Sequence, residues 1–311
     1  MTFSSEIKQE LTKLSVRKGE QQLALLTGLC HTCASLSISL GIGLVFKSEH
    51  EDVIRLASLL CTELYRVRAT VSSEEQEHRQ QALFTLKLSG SDVMHLLEDT
   101  GTITVTDDGT TFTKFIPAFV ESTEELLRLY LRGCYLGSGT CMDPSSGYQI
   151  ELLFREESIA NAVVSMTSGF LDSPRVSSRR EDTYTVYFRG EDETGLLAAI
   201  GAQNALLKLE SSRAERDFRN YINRTSNCET ANIGKTVQAS IMQRDAIECI
   251  QQHMELSTLP QPLQEAAILR MNHPDATLQE LADLAGIGKS GMNHRLGRLV
   301  ALAQELKGEL S

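Results

Sequence analysis

The chain lacks tryptophan, has 5% aromatic residues and six prolines, and carries no excess of positive charge. Its 30 Lys plus Arg stand against 41 Asp plus Glu, which gives a net charge of -11. A polycation that coats DNA is therefore excluded, and any DNA contact must come from local basic patches. Long apolar runs are also absent, since Leu36 to Phe46 is too short to span a bilayer and Met1 to Leu14 does not read as a signal peptide. We expect a cytoplasmic protein with no membrane partner.

The seven cysteines are odd in number and scattered along the chain. This pattern favours reduced thiols over a disulfide framework. The segment Cys30 to Cys33 has the C-x-x-C spacing of metal and redox sites, but zinc needs four ligands and no second pair follows. The leucines between Leu23 and Leu29 place the motif at the end of an apolar helix, which favours buried structural thiols and leaves a metal or redox site as the alternative. We expect no metal and no other cofactor.

The segment from Thr277 to Val300 has the pattern of a helix-turn-helix. Thr277 and Glu280 have the spacing of a capping box at the start of a short apolar helix. A glycine-rich turn at 286–288 follows, and a second helix with apolar residues three and four apart begins at Lys289. In such motifs the second helix enters the major groove of DNA.

The second helix is locally basic, because no Asp or Glu occurs between Gly286 and Ala303. Lys and Arg side chains neutralise phosphates, whereas Ser, Asn and Arg can also hydrogen-bond base edges. An ordinary helical hairpin with a solvated basic face is the alternative. The residues predicted to bind DNA are Thr277, Gln279, Gly288, Lys289, Ser290, Gly291, Asn293, His294, Arg295 and Arg298.

The N-terminal two thirds of the chain contains an internal duplication. Three pairs of segments align in the same order: 25–35 with 130–140, 44–49 with 152–157, and 86–90 with 186–190. The periodicity of the second copy predicts a helix that ends at Ser138, a helix at 158–171 and a last helix from Glu193 to Leu209. Between them it predicts two pairs of strands, at 139–142 and 148–155 and at 175–180 and 183–189. The predicted fold class is α+β, with this αββαββα unit present twice and each sheet covered on one face by helices.

Gly28 and Gly133 occupy the same position in the two copies, inside predicted helices. Glycine inside a helix lowers helix stability by about 1 kcal/mol relative to alanine. Its recurrence at the same position therefore indicates a structural role. With Thr32 and Gly137, they place small residues on one face of each helix and predict close packing between the two. A pair of unrelated helix irregularities is the alternative.

These two helices, at Leu26–Ala34 and Leu131–Gly139, resemble the signature helices of the LAGLIDADG homing endonucleases. The resemblance implies helices that pack through small residues and end in acids that hold divalent metals. Here the acidic position of each motif falls on Cys33 in one copy and Ser138 in the other, and neither supplies an anionic oxygen ligand for Mg²⁺. We therefore expect a domain that retains the LAGLIDADG fold and has lost metal-dependent DNA cleavage. A surviving metal-dependent endonuclease, with Asp143 nearby in sequence, is the alternative.

A polar, helix-prone stretch from Ser211 to His253 joins the duplicated region to the helix-turn-helix. Its basic side chains are candidates for auxiliary contacts to a DNA backbone, although the composition favours a solvated linker face. The candidate residues are Arg216, Arg219, Arg224 and Lys235.

Four ordered blocks, at 3–11, 223–236, 259–267 and 289–296, resemble the WhiA family of bacterial regulators. The resemblance implies a degenerate LAGLIDADG-like domain followed by an all-α helix-turn-helix domain similar to region 4 of sigma factors. It also implies a nucleoid-associated transcriptional regulator of cell division, chromosome segregation or sporulation in Gram-positive bacteria. Double-stranded DNA is the implied ligand, with RNA polymerase or another transcription factor, of the WhiB type in actinobacteria, as a protein partner.

The predicted organisation is an N-terminal helix at 1–20, LAGLIDADG-like repeats at 21–120 and 121–210, a helical linker at 211–258 and a helix-turn-helix domain at 259–311. Three functions fit this organisation. A non-enzymatic, sequence-specific DNA-binding regulator is favoured; a metal-dependent endonuclease and a scaffold whose helix-turn-helix binds protein are the alternatives. Metal-dependent cutting of DNA and salt-dependent DNA affinity distinguish them.

Overall fold

The computed structural model describes residues 2–38, 42–75, 82–106, 109–111, 114–172, 174–180 and 182–308. The chain forms two compact units, Met1–Glu215 and Arg216–Ser311. The finer divisions expected after residues 20, 120, 210 and 258 remain predictions.

The first unit begins with helix α1 (Phe3–Thr12), whose N-cap Thr2 accepts a hydrogen bond from the Ser5 amide at 3.2 Å. Two copies of one element order follow. The first copy comprises α2 (Glu20–Cys33), β1 (Ala34–Ser37), β2 (Gly43–Ser48), α3 (Glu51–Leu64), β3 (Arg68–Glu75), β4 (Ala82–Ser89) and α4 (Val93–Asp99). The short strands β5 (Thr104–Thr106) and β6 (Gly109–Thr111) and a 3-10 turn (Ala118–Glu121) come next. The second copy comprises α5 (Glu124–Ser138), β7 (Thr140–Cys141), β8 (Gln149–Phe154), α6 (Glu157–Thr167), β9 (Arg175–Arg180), β10 (Thr183–Arg189) and α7 (Glu191–Ile200).

Each copy contains an antiparallel four-stranded sheet with the same strand order, β1-β2-β4-β3 and β7-β8-β10-β9. The alternation of apolar residues explains why one face of each sheet is buried. Phe46 pairs with Leu86 in the first sheet, and both are fully buried. Leu152 pairs with Val186 at the equivalent place in the second sheet, again without exposure. The predicted αββαββα duplication is confirmed.

Helices α2 and α5 pack against each other through their glycines. A Cβ atom on Gly28 would collide with the Tyr130 carbonyl oxygen, and one on Gly133 would collide with the Leu25 carbonyl oxygen. The two backbones approach so closely that no side chain fits between them, which confirms the predicted role of the recurring glycines.

Some predicted element boundaries are wrong, and one error has a clear physical cause. The single helix expected from Glu193 to Leu209 is two helices, because α7 ends before Gly201 and α8 (Gln203–His253) starts after it. Gly201 has φ +87°, in the left-handed region that glycine adopts without a steric penalty and that commonly ends helices. The helix predicted to reach Leu171 ends at Thr167. Helix α1 ends at Thr12, within the N-terminal segment predicted at 1–20.

The second unit is all-helical. It contains the C-terminal part of α8, then α9 (Gln261–Asn272), α10 (Leu278–Leu284) and α11 (Lys289–Gly308). Its core is built from Ile247 and Ile250 of α8, Ala266 and Ala267 of α9, Leu281 of α10, and Met292, Leu296 and Leu299 of α11. None of the described helices is both long enough and apolar enough to cross a membrane.

Candidate nucleic-acid interface

The first helix of the motif, α10, has a capping box at its N-terminus and a glycine turn after its C-terminus. The Thr277 hydroxyl accepts a hydrogen bond from the Glu280 amide at 3.3 Å, and the Glu280 carboxylate accepts one from the Thr277 amide at 2.7 Å. The second of these bonds holds the pKa of Glu280 below its usual range. After α10 the backbone turns at Gly286, which has φ +66°. The capping box and glycine turn predicted from the sequence are confirmed.

A buried arginine holds the loop that leads into α10. Arg270 is 1% exposed, and its guanidinium donates to the Ala276 carbonyl oxygen at 2.7 Å and to Oε1 of Gln243 at 2.9 Å. Ser240 of α8 donates to the carbonyl oxygen of Pro274 in the same loop at 2.5 Å. Sequence reasoning missed Arg270, although its place on the apolar face of α9, one turn after Ala266 and Ala267, was a usable signal.

Helix α11 buries one face and presents the opposite face to solvent. Met292, Leu296 and Leu299 are at most 1% exposed. The exposed residues of the helix include Lys289, Ser290, Asn293, His294 and Arg298, and the exposed Gly288 lies just before it. Because no Asp or Glu occurs between Gly286 and Ala303, this face is basic although the whole chain is acidic.

Three other predicted DNA-binding residues have structural contacts of their own. Arg295 is 22% exposed and pairs with the Glu265 carboxylate at 2.9 Å. Thr277 caps α10, and the Gln279 side chain donates to Asp283 at 2.8 Å. These contacts tie the three side chains to the domain itself. The structure thus brings Lys289, Ser290, Asn293, His294 and Arg298 together on one helix. Arg295 is engaged in its ion pair with Glu265, and Gly291 is exposed on the same helix.

The candidate auxiliary residues all lie on α8. Arg219, Arg224 and Lys235 are exposed, and Arg216 is half-buried. On a helix with about 100° per residue, Arg224 and Lys235 point within about 20° of each other, whereas Arg219 points about 140° away from Arg224. Arg224 and Lys235 therefore share one helix face, and Arg216 and Arg219, about 60° apart, share another.

The two degenerate motif positions lie at the C-terminal ends of α2 and α5. The Ser138 hydroxyl accepts a hydrogen bond from the Leu153 amide at 3.0 Å and donates to the Cys134 carbonyl oxygen at 3.4 Å. The Cys33 thiol donates to the Leu29 carbonyl oxygen at 3.4 Å, and burial raises its pKa to about 12. At neutral pH both positions are uncharged.

Divalent metal ions of homing endonucleases do not fit this donor set. Mg²⁺ requires hard anionic oxygen ligands, whereas the two positions offer a neutral thiol and a neutral hydroxyl. The nearby Asp143 accepts hydrogen bonds from the Ser145 amide at 2.9 Å and the Ser145 hydroxyl at 2.5 Å, within its own turn. Among the described residues, no group of three or more His, Cys, Asp or Glu side chains is arranged to hold a metal ion.

The C-x-x-C segment belongs to the core of the first unit. Cys30 is fully buried, and burial raises the pKa of its thiol to about 12. His31 is 1% exposed, with its ring nitrogens 3.0 Å from the Tyr130 hydroxyl and 2.9 Å from the Thr100 carbonyl oxygen. Burial lowers the pKa of His31 to about 3. The favoured interpretation as structural thiols is supported, and Cys228 is the exposed member of the seven cysteines.

A buried carboxyl group in the second repeat was also missed by sequence reasoning. Glu193 has no exposed surface, and Oε1 accepts a hydrogen bond from the Cys141 thiol at 3.4 Å. Its Oε2 has no hydrogen-bond partner among the described residues. Burial raises the pKa of Glu193 to about 7. The equivalent position of the first repeat holds the buried Val93, and this difference between the copies was the available signal.

Comparison with known proteins assigns the family. The model of the WhiA LAGLIDADG-like domain matches residues 127–219, and that of the WhiA C-terminal helix-turn-helix domain matches residues 222–303. The chain is 32% identical to the probable cell division protein WhiA of Clostridium acetobutylicum over 99% of both chains. The chain belongs to the WhiA family.

Two further WhiA proteins extend the comparison. The probable cell division protein WhiA of Clostridium tetani is 30% identical over 99% of both chains. The crystal structure of full-length DUF199/WhiA from Thermotoga maritima has a TM-score of 0.61 and 23% sequence identity, and the match covers 98% of this chain and 99% of that one. This structural likeness agrees with the fold of a WhiA protein, an α+β LAGLIDADG-like region followed by a helical region that carries the helix-turn-helix.

Proposed function

We propose that this WhiA protein is a non-enzymatic, sequence-specific transcriptional regulator that reads double-stranded DNA with helix α11. The observation that carries the proposal is the exposed basic face of α11, opposite its buried apolar face. Lys289 and Arg298 lie toward the two ends of that face, where a helix in the major groove meets phosphates, and Asn293 lies between them. Arginine and lysine neutralise phosphates, and asparagine reads adenine through paired hydrogen bonds.

The neutral residues at the degenerate motif positions support the absence of catalysis in this proposal. Cleavage of a phosphodiester with two metal ions needs charged oxygen ligands, which Cys33 and Ser138 do not supply. The relatives' name, probable cell division protein, supports a role in cell division. The proposal extends this role to chromosome segregation or sporulation in Gram-positive bacteria. We further propose a cytoplasmic, nucleoid-associated location, with RNA polymerase or another transcription factor, of the WhiB type in actinobacteria, as protein partner.

Two alanine variants of α11 test this proposal. Arg298→Ala should weaken binding to a target promoter and to scrambled DNA equally, and lower the slope of log affinity against log salt by about 1, because one phosphate contact is lost. Asn293→Ala should lose about 1 to 3 kcal/mol mainly on the promoter, because a base contact is lost. Salt titrations of both variants on both DNAs provide the measurement. Wild-type affinity in both variants would mean that α11 does not read DNA.

A further inference from the structure

The N-terminal helix carries a lysine into the region where the motif acids of a homing endonuclease would lie. Lys8 of α1 is 7% exposed. Its amine is within electrostatic reach of Cys33, the degenerate position of α2, and of Glu49. It also lines a cavity of about 700 Å³ together with Ser138, the degenerate position of α5. Lys8 is thus within electrostatic reach of one degenerate position and lines the same cavity as the other.

Helix α1 is held in this place by contacts along its length. The Ser4 hydroxyl donates to the Cys141 carbonyl oxygen at 2.9 Å and accepts from the Cys141 amide at 2.7 Å. Glu10 accepts hydrogen bonds from the first amides of α8, at Asn204 and Ala205. The apolar residues Phe3, Ile7 and Leu11 are buried in the core of the unit. Because the helix is fixed on both sides of Lys8, the ammonium group cannot move far from the cavity.

A buried ammonium group is costly unless a negative charge or hydrogen-bond acceptors compensate it. The Lys8 ammonium lies within electrostatic reach of one carboxylate, that of Glu49. Burial lowers the pKa of Lys8 to about 8, and the charge of Glu49 opposes this shift. Below that pH the group is a positive charge within electrostatic reach of neutral Cys33, in a cavity that neutral Ser138 also lines. A second cation brought to the same place would be repelled.

We propose that Lys8 supplies the positive charge at the two degenerate motif positions, Cys33 and Ser138. Its ammonium group takes the place that divalent metal ions hold in LAGLIDADG endonucleases. In this proposal the loss of the two acids and the presence of Lys8 belong together. Two neutral residues and one internal positive charge replace a cluster of acids and bound metal. Restoring the acids alone would therefore create an ion pair with Lys8 and would not create a metal site.

Mn²⁺ binding tests the proposal in three variants, with the free ion followed by electron paramagnetic resonance. The first is Cys33→Asp with Ser138→Asp. The second adds Lys8→Met, which keeps the side-chain length and removes the charge. The third adds Lys13→Met instead, as a control on an exposed lysine just after α1.

We expect Mn²⁺ to bind at least tenfold more tightly to the variant with Lys8→Met than to the other two. Equal affinity with and without Lys8 would overturn the proposal. A folded variant with Lys8→Met that binds no Mn²⁺ would overturn it as well, because removal of the ammonium group would then free no site.

Thermal unfolding of single and double variants provides a second, metal-free test, since the triple variants carry several changes in a packed region. Cys33→Asp should lower the melting temperature less in the wild-type background than in the Lys8→Met background, because the Lys8 ammonium acts on position 33 more strongly than Lys114, which also reaches it. A double variant that fails to fold where both single variants fold has the same meaning. Equal losses in the two backgrounds would show that Lys8 and position 33 are not coupled, and the proposal would fail.

Discussion

Two arginines of the basic helix α11 differ in their exposure to solvent. The sequence predicted Arg295 and Arg298 together as DNA-binding residues, because both are basic and both lie on the second helix of the motif. The structure separates them, since Arg295 pairs with Glu265 of α9 and Arg298 is exposed. Residue type and helical spacing predict which face is polar, but the partner of one arginine on that face depends on a helix about thirty residues earlier. Such pairings require the tertiary structure.

Glu193 gives the second repeat a pH dependence that the first repeat lacks. Its pKa is raised from 4.5 to about 7, so between these values the folded state holds a proton that the unfolded state has lost. Stability from this group is therefore present at low pH and is lost as pH rises through 7. We expect the melting temperature of wild type, relative to that of Glu193→Gln, to fall between pH 5 and pH 7.5 and then to level off. A difference that stays constant over this range would contradict the buried, proton-holding carboxyl.

His31 acts in the opposite direction at lower pH, which is why the variant is needed as a reference. Its folded pKa is about 3, so the unfolded state binds the extra proton between about 3 and 6.5, and stability rises with pH in that window. The glutamine variant keeps His31 and Lys8 unchanged. The difference between the melting temperatures of wild type and this variant at each pH therefore isolates the contribution of Glu193.

At the scale of elements, the sequence predicted regular structure well where apolar periodicity was strong. Strand β10 was predicted from its alternating residues with the boundaries that the structure has, and β9 lies where a strand was predicted near 175–180. The break between α7 and α8 was missed, since a glycine inside a helical pattern is compatible both with a weak helix and with a left-handed end. Only the conformation of Gly201 distinguishes these two cases.

Because α2 and α5 are in backbone contact, we expect a single methyl group added at this contact to destabilise the fold. Gly133→Ala and Gly28→Ala should each destabilise the first unit by about 1 to 3 kcal/mol, because the new Cβ atom meets a backbone carbonyl oxygen that cannot give way. Gly234→Ala on α8 is the matched control. It has no heavy atom within 4 Å of the added Cβ atom, and helical alanine is favoured over glycine by about 1 kcal/mol. Thermal unfolding of the three variants is the measurement; a melting temperature for Gly133→Ala as high as that of wild type would remove the case for backbone contact.

The whole molecule combines a duplicated α+β unit with an all-helical unit, each with its own core. Sequence reasoning reached this architecture because duplication and helix-turn-helix patterns are both long-range regularities. It did not find Lys8, whose amine is within electrostatic reach of Cys33 and which lines a cavity with Ser138. These three residues lie on segments far apart in the chain, and no periodicity links them. The sequence therefore predicted the loss of the two motif acids but did not predict that Lys8 lies near their positions.

For the intact protein, we expect no cleavage of supercoiled or genomic DNA with Mg²⁺ or Mn²⁺, because the motif acids are replaced by Cys33 and Ser138. Agarose gels across the chromatographic peak of the purified protein provide the measurement. Metal-dependent cutting that follows this peak and is abolished by Asp143→Asn would contradict a non-enzymatic domain and revive the endonuclease alternative.

Cys228 makes the native protein selectively addressable by thiol chemistry. Six of the seven cysteines are buried or half-buried, whereas Cys228 is exposed on α8 between Arg224 and Lys235. Burial raises the pKa of Cys33, the half-buried one, to about 12, so it holds almost no reactive thiolate at neutral pH. The folded protein should consume one equivalent of maleimide and the unfolded chain seven. A fluorophore attached in this way would report on DNA near α8 without any cysteine having to be removed.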